Sequence, residues 1–179
     1  MLPLLLLAAC KPPAADNYVE RIEIARRDLV AVPLPSPDTS GAFWAVSTDG
    51  KRALYGNPGQ HPLLGLACDG AADAPVLRIV RYTAADPRAR AFLAMVGNGH
   101  VERLKMDARW NGRGWLWEGT FHPVDPRLEV LTGSRPIEAT LPGAGTLVVK
   151  PDPLLAGFIG QCARPLSPAP LDEGAPPAT

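Results

Sequence analysis

HVERLKMDARW-NGRG-WLWEGTF, running from His100 to Phe121, is the stretch that decides the fold. From His100 to Asp107 apolar and polar residues alternate, the period of a strand with one buried face. Asn111-Gly112-Arg113-Gly114 follows as a turn, and Trp115 to Phe121 returns as a second strand rich in aromatic residues. Alternation sets Trp115, Trp117 and Phe121 on one face, with Gly119 leaving space between the last two. Leu116, Glu118, Thr120 and His122 take the other face. We expect the aromatic face to be core, packed against Leu128, Val130, Ile137, Ala139, Leu147 and Val149. The competing reading is a stacking platform for a glycan or peptide in which Trp115 and Trp117 touch the ligand, because tryptophan joins a large apolar face to a polar handle. Trp44 and Trp110 are harder to place, and either suits a rim.

Working outward, the same pattern of short strands and glycine turns recurs. Upstream, Ala42 to Ser47 and Lys51 to Gly56 flank Asp49-Gly50, and Leu63 to Cys68 ends at Asp69-Gly70. Val76 to Thr83, VLRIVRYT, has β-branched and aromatic strand composition. Asp86-Pro87 resembles a helix start, yet Ala91 to Val96 runs straight into Gly97-Asn98-Gly99. We therefore expect a strand over 91–96, after at most one helical turn, hairpinned to 100–108. Downstream, Arg127 to Leu131 precedes Gly133-Ser134 and Pro136 to Leu141, and Gly143-Ala144-Gly145 leads into Thr146 to Lys150. Pro151 and Pro153 stop that strand. Leu154 to Gln161 is expected as a short helix delivering Cys162 to the sheet. The fold class is all-β: a single antiparallel β-sandwich or partly open barrel with a short C-terminal helix, over residues 42–162. Before it, residues 10–41 read as a proline-rich tether with a helix over 18–27 or a strand over 28–34. Residues 163–179, with five prolines, are expected to be disordered.

The chain of 179 residues has 18 basic and 18 acidic side chains. That balance gives no basic face, so no nucleic-acid partner is expected. His61, His100 and His122 lie far apart and show no paired zinc spacing, so we expect no metal and no cofactor. No G-x-S-x-G elbow is present, and G-N-G-H-V leads to a strand, unlike a phosphate-binding loop. The Gly97-Asn98-Gly99-His100 turn either presents His100 at a sheet edge or simply needs Asn-Gly, and the second is favoured.

Leu7-Ala8-Ala9-Cys10 resembles the lipobox of bacterial lipoproteins. The resemblance implies a signal peptide over residues 1–9, cleavage before Cys10, and diacylglycerol and palmitate on the new terminus. Several acyl chains exceed the single chain that anchors only reversibly. The leader is short and carries no positive charge, so a true start upstream is expected. Lys11, where aspartate favours the inner membrane, implies the periplasmic face of the outer membrane. With Cys10 lipidated, Cys68 and Cys162 remain to pair in an oxidising compartment, or else stay as two buried thiols.

Trp44-Ala45-Val46, Leu66-Ala67-Cys68-Asp69, Leu77-Arg78-Ile79 and Phe158-Ile159-Gly160-Gln161-Cys162 together resemble small exported β-sandwich proteins such as the invasion-associated locus B-like family. That resemblance implies a fold and no catalytic residues. The expected role is non-enzymatic binding, scaffolding or inhibition at the cell envelope, the partners being the membrane, through the lipid, and an envelope protein or glycan. The alternative is an envelope hydrolase of peptidoglycan or glycan, with its chemistry near His100 or His122.

Overall fold

The computed structural model describes residues 33–71 and 74–164. Nine strands form one antiparallel sheet in the order β1-β2-β3-β4-β7-β6-β5-β8-β9. They are β1 (Phe43–Val46), β2 (Arg52–Gly56), β3 (Leu64–Ala71), β4 (Ala74–Ala84), β5 (Arg90–Gly97), β6 (His100–Trp110), β7 (Trp115–Phe121), β8 (Ile137–Thr140) and β9 (Thr146–Val149). The sheet curls into a half-barrel, and the short helix α1 (Pro153–Cys162) follows it. Of the two architectures expected, the partly open barrel is the one found.

Alternation explains the curl. Leu77 and Ile79 of β4, Leu93 and Met95 of β5, Leu104 and Met106 of β6, and Trp117 and Phe121 of β7 all point inward and are buried in one cluster. The expected partners Leu128, Val130, Ile137, Ala139, Leu147 and Val149 belong to the same cluster. A sheet with one apolar face lowers its free energy by wrapping that face around itself. The wrap brings β2 to β9: the Tyr55 hydroxyl donates to the Val148 carbonyl (2.9 Å) and accepts from the Lys150 amide (3.2 Å). Residues 34–40, read in the sequence as the end of the tether, run beside β9. Leu34 N–H donates to the Gly143 carbonyl at 2.9 Å, and Thr146 N–H to Ser36 Oγ at 2.9 Å. Outward-facing groups of an edge strand are thereby paired.

Helix α1 begins where Asp152 accepts a hydrogen bond from Leu154 N–H at 3.0 Å, with Pro153 at the first helical position. Leu155, Phe158, Ile159 and Cys162, spaced as one helical face, are buried. Cys162 forms a disulfide with Cys68 of β3, Cα to Cα 5.5 Å, which removes the two-thiol alternative.

Two local expectations are corrected and one open reading is closed. Arg127 to Leu131 is no strand; Pro126–Leu131 is a 3-10 helix, because Asp125 caps it and Pro126 opens it. That helix carries the chain from β7 past β6 and β5 to β8. Asp86-Pro87, where a helix start was conceivable, makes only a turn: Ala89 N–H donates to the Asp86 carbonyl at 3.0 Å and Arg88 takes φ 65°. Asp69-Gly70 does not end its strand, since Gly70 still pairs with Pro75. Gly70 takes φ 93°, and a Cβ there would sit 2.3 Å from the Ala74 carbonyl oxygen, so only glycine keeps the ladder going. The lipobox with Cys10, the expected helix over 18–27 and residues 165–179 lie outside the described residues.

Candidate functional site

The outer face of β2, β3, β4, β7 and β6 is hollowed into an open groove of about 1080 Å³. Its floor follows from small residues on β3. Ala67 is the ladder partner of Arg52 on one side and Arg78 on the other, so two long cationic side chains flank a methyl group. Gly65, two residues back, lies under the ring of Tyr82. A Cβ at Gly65 would approach Tyr82 Cε2 to 2.9 Å and its hydroxyl to 3.1 Å. The pairing of β4 with β7 shifts register between Arg81 and Ala84. Tyr82 sits in that irregularity, and such bulges re-aim side chains.

Part of the charge in the groove is paired, and the cations outnumber the carboxylates among the lining side chains. Arg78 bonds Asp69 at 2.6 Å and Glu118 at 3.3 Å, and these two carboxylates hold its guanidinium even more firmly protonated. At the far end Arg127 bonds Asp125 at 2.6 Å. Hydrogen bonds from Arg127 hold the Asp125 carboxyl below the usual carboxylate range. Burial pushes the Tyr82 phenol up, and the nearby cations Arg52 and Arg78 oppose that rise. Arg52, Lys105 and Arg109 also line the groove and have no ion-pair partner among the described residues. The opposite end closes at the β6–β7 turn, where Trp110, 57% exposed, pairs with Trp115 on the inward side of the sheet, the two rings 6.0 Å apart.

The residues singled out in the sequence distribute unevenly over this site. Trp117 is core, 7% exposed, so it is no platform. Trp115 is half-buried, its ring beside that of Trp110. His122 is exposed and lines the groove near Asp125, and its Nδ1 accepts from Val124 N–H at 3.4 Å. His100 stands on the β5–β6 hairpin, outside the groove lining, with Nδ1 3.9 Å from Glu102. The two histidines are therefore not gathered into one site. Among the described residues no group of three His, Cys, Asp or Glu side chains is placed to hold a metal.

Sequence reading missed Tyr82, Arg78 and Arg52. Alternation along VLRIVRYT does put Arg78, Val80 and Tyr82 on one face, but which strands flank them is a long-range fact. The arrangement offers donors, acceptors and aromatic surface on rigid strands. A carboxylate held down, as Asp125 is, stays ionised at neutral pH and does not serve as a proton donor there. Comparison with protein-family models, with curated proteins and with solved structures finds no match to this chain.

Proposed function

We propose that this protein is a lipid-anchored envelope protein, held through Cys10 on the periplasmic face of the outer membrane, whose β domain binds a ligand without transforming it. The observation that carries the binding role is the outer-face groove itself. Much of its floor comes from β3, β4 and β7, inside one sheet, so those groups are held before any ligand arrives and little ordering is needed on binding. The lipobox resemblance supports the anchor, and the Cys68–Cys162 bridge supports an oxidising compartment. The hydrolase alternative is less well supported, because it needs a carboxyl with raised pKa or a histidine aimed at a nucleophile. Asp125 is shifted the other way, and His100 stands apart from the groove.

The test is site-specific photocrosslinking in intact cells, with the probe at Thr120 in the groove and, as control, at Val148 on the outer face of β9. A discrete adduct from Thr120 and none from Val148 is expected. Adducts from Val148 alone, or from neither position, contradict the reading. Separately, Cys10→Ala should move the protein from the membrane to the soluble fraction, and unchanged fractionation contradicts the anchor.

A further inference from the structure

We infer that the ligand of the groove is an acidic oligosaccharide, laid across the strands with its carboxylates on Arg52 at one end and on Lys105 and Arg109 at the other. This rests on the binding role proposed above and names the ligand class for the same surface.

Charge carries the inference. Five cationic side chains line the groove against three carboxylates. Each of those carboxylates already has an arginine: Asp107 faces Arg90 of β5 at 3.5 Å, Glu118 faces Arg78 at 3.3 Å, and Asp125 faces Arg127 at 2.6 Å. What is left over is positive. Arg52, Lys105 and Arg109 are exposed and have no ion-pair partner among the described residues. A cleft with an excess of one sign focuses its field and draws the opposite charge.

The places of these cations set the size of the ligand. Arg52, Ala67, Arg78 and Thr120 are successive ladder partners on β2, β3, β4 and β7. Strand β6 comes next, and Lys105 lies just past the end of its ladder with β7, whose last pair is Asp107 with Glu118. Four strand spacings, roughly 19 Å, separate β2 from β6. Along β6 itself Lys105 and Arg109 stand roughly 13 Å apart. One small anion does not bridge such separations, so the ligand carries several acidic groups along a chain.

The middle of the path has a different character. Arg78 is held between Asp69 and Glu118, and its ladder neighbours Ala67 and Thr120 are small. Charge is matched there, so the ligand group above it needs to donate and accept at once, as hydroxyls do. A nucleic-acid strand, with a phosphate about every 3.4 Å of its axis, would set phosphates over Glu118 as well as over the free cations. An acidic peptide would lose the freedom of every residue it orders. Because β3, β4 and β7 lie inside the sheet, it would gain no strand ladder in return. Linked sugar rings with carboxylates at intervals and hydroxyls between them meet each part of the path.

The test is calorimetric titration of the full chain with four probes. They are a hexasaccharide of alternating glucuronate and N-acetylglucosamine, neutral chitohexaose, hexaglutamate and hexathymidylate. The acidic hexasaccharide should bind saturably, at least tenfold more tightly than each of the other three, and more weakly as salt is raised. Arg52→Gln and Lys105→Gln should each lower its affinity at least fivefold. Arg135→Gln, an exposed cation outside the groove lining, should leave it unchanged. All three side chains are exposed, and unchanged melting of the variants will show that the fold is kept. No binding of the acidic hexasaccharide, equal or tighter binding of any other probe, indifference to either groove substitution, or an equal loss in Arg135→Gln overturns the inference. If the acidic hexasaccharide fails while Thr120 still captures an adduct in cells, only the ligand class is wrong. If Thr120 captures nothing as well, the binding role falls with it.

Discussion

The hydroxyl of Tyr55, on the second strand, donates to the main-chain carbonyl of Val148, on the ninth, at 2.9 Å. Among the described residues no strand pairing joins those two parts of the sheet, so a side chain supplies what another strand would have given. The same oxygen accepts from Lys150 N–H at 3.2 Å. Tyr55→Phe keeps the ring in the core and strips both bonds. It should cost about 1–3 kcal/mol, the range for leaving buried polar groups unpaired, measured by urea denaturation.

The same residue gives a pH dependence. Burial raises the Tyr55 phenol above its ordinary value of 10.0. The folded state therefore keeps the proton where the unfolded chain releases it. The stabilisation is fully present below about pH 10 and is lost as pH rises through the folded value. Tyr55→Phe should weaken the alkaline fall in melting temperature without abolishing it, because Tyr82 is raised as well.

Two tryptophans separate core from rim. Trp117→Ala should destabilise by roughly 3–5 kcal/mol, as large-to-small changes in packed cores do. Trp110→Ala, at an exposed position, should change stability by no more than about 0.5 kcal/mol. Equal losses in denaturant titrations would contradict the placement of Trp117.

Asn98 does more than turn the β5–β6 hairpin. Its amide nitrogen donates to the carbonyls of Val130 (2.9 Å) and Arg135 (3.2 Å), and its oxygen accepts from Arg135 N–H at 2.9 Å. Asn98→Gly preserves the positive φ of 53° while deleting those bonds, and should cost roughly 1–3 kcal/mol. Asn98→Ala should cost more, since alanine tolerates that φ poorly. Gly133→Ala should also destabilise, because a Cβ there would fall 2.1 Å from Asn98 Cγ.

The bridge between Cys68 and Cys162 closes a separation of 94 residues. The chain-entropy account gives such a loop about 4–5 kcal/mol. Cys162→Ser should lower the denaturation midpoint accordingly and free α1 first, since the bond ties that helix to β3. Thiol titration of the denatured, unreduced protein should find neither cysteine reactive.

Much of the fold was legible because it is written locally. Trp115 to Phe121 is a strand at the expected bounds, Gly97-Asn98-Gly99-His100 is the expected hairpin, and the expected helix over Leu154 to Gln161 lies within Pro153–Cys162. Misreadings arose where one local signal carried two meanings. Asp-Pro caps the 3-10 helix at Asp125 but only turns the chain at Asp86, and the difference lies in the buried Leu128, Val130 and Leu131 that follow the first. Other features depend on distant partners. Arg81 falls on the same face as Leu77 and Ile79, so alternation already points it inward. Its partners, the carbonyls of Leu63 and Ala144, are set by the curl of the sheet. Burial pushes that guanidinium down to about 10, which still leaves it charged at neutral pH. The groove was illegible for the same reason: Arg52, Arg78 and Lys105 meet only through the register of five strands.

The most direct test of the outer-face groove as the ligand surface is amide-resolved NMR of the full chain titrated with the soluble fraction of the envelope. The account predicts shifts concentrated at Arg78, Tyr82, Lys105 and Thr120, with β8 and β9 unmoved. Shifts confined to the outer face of β5, β8 and β9, where Val96 and Val148 are exposed, or no shifts at all, would contradict it.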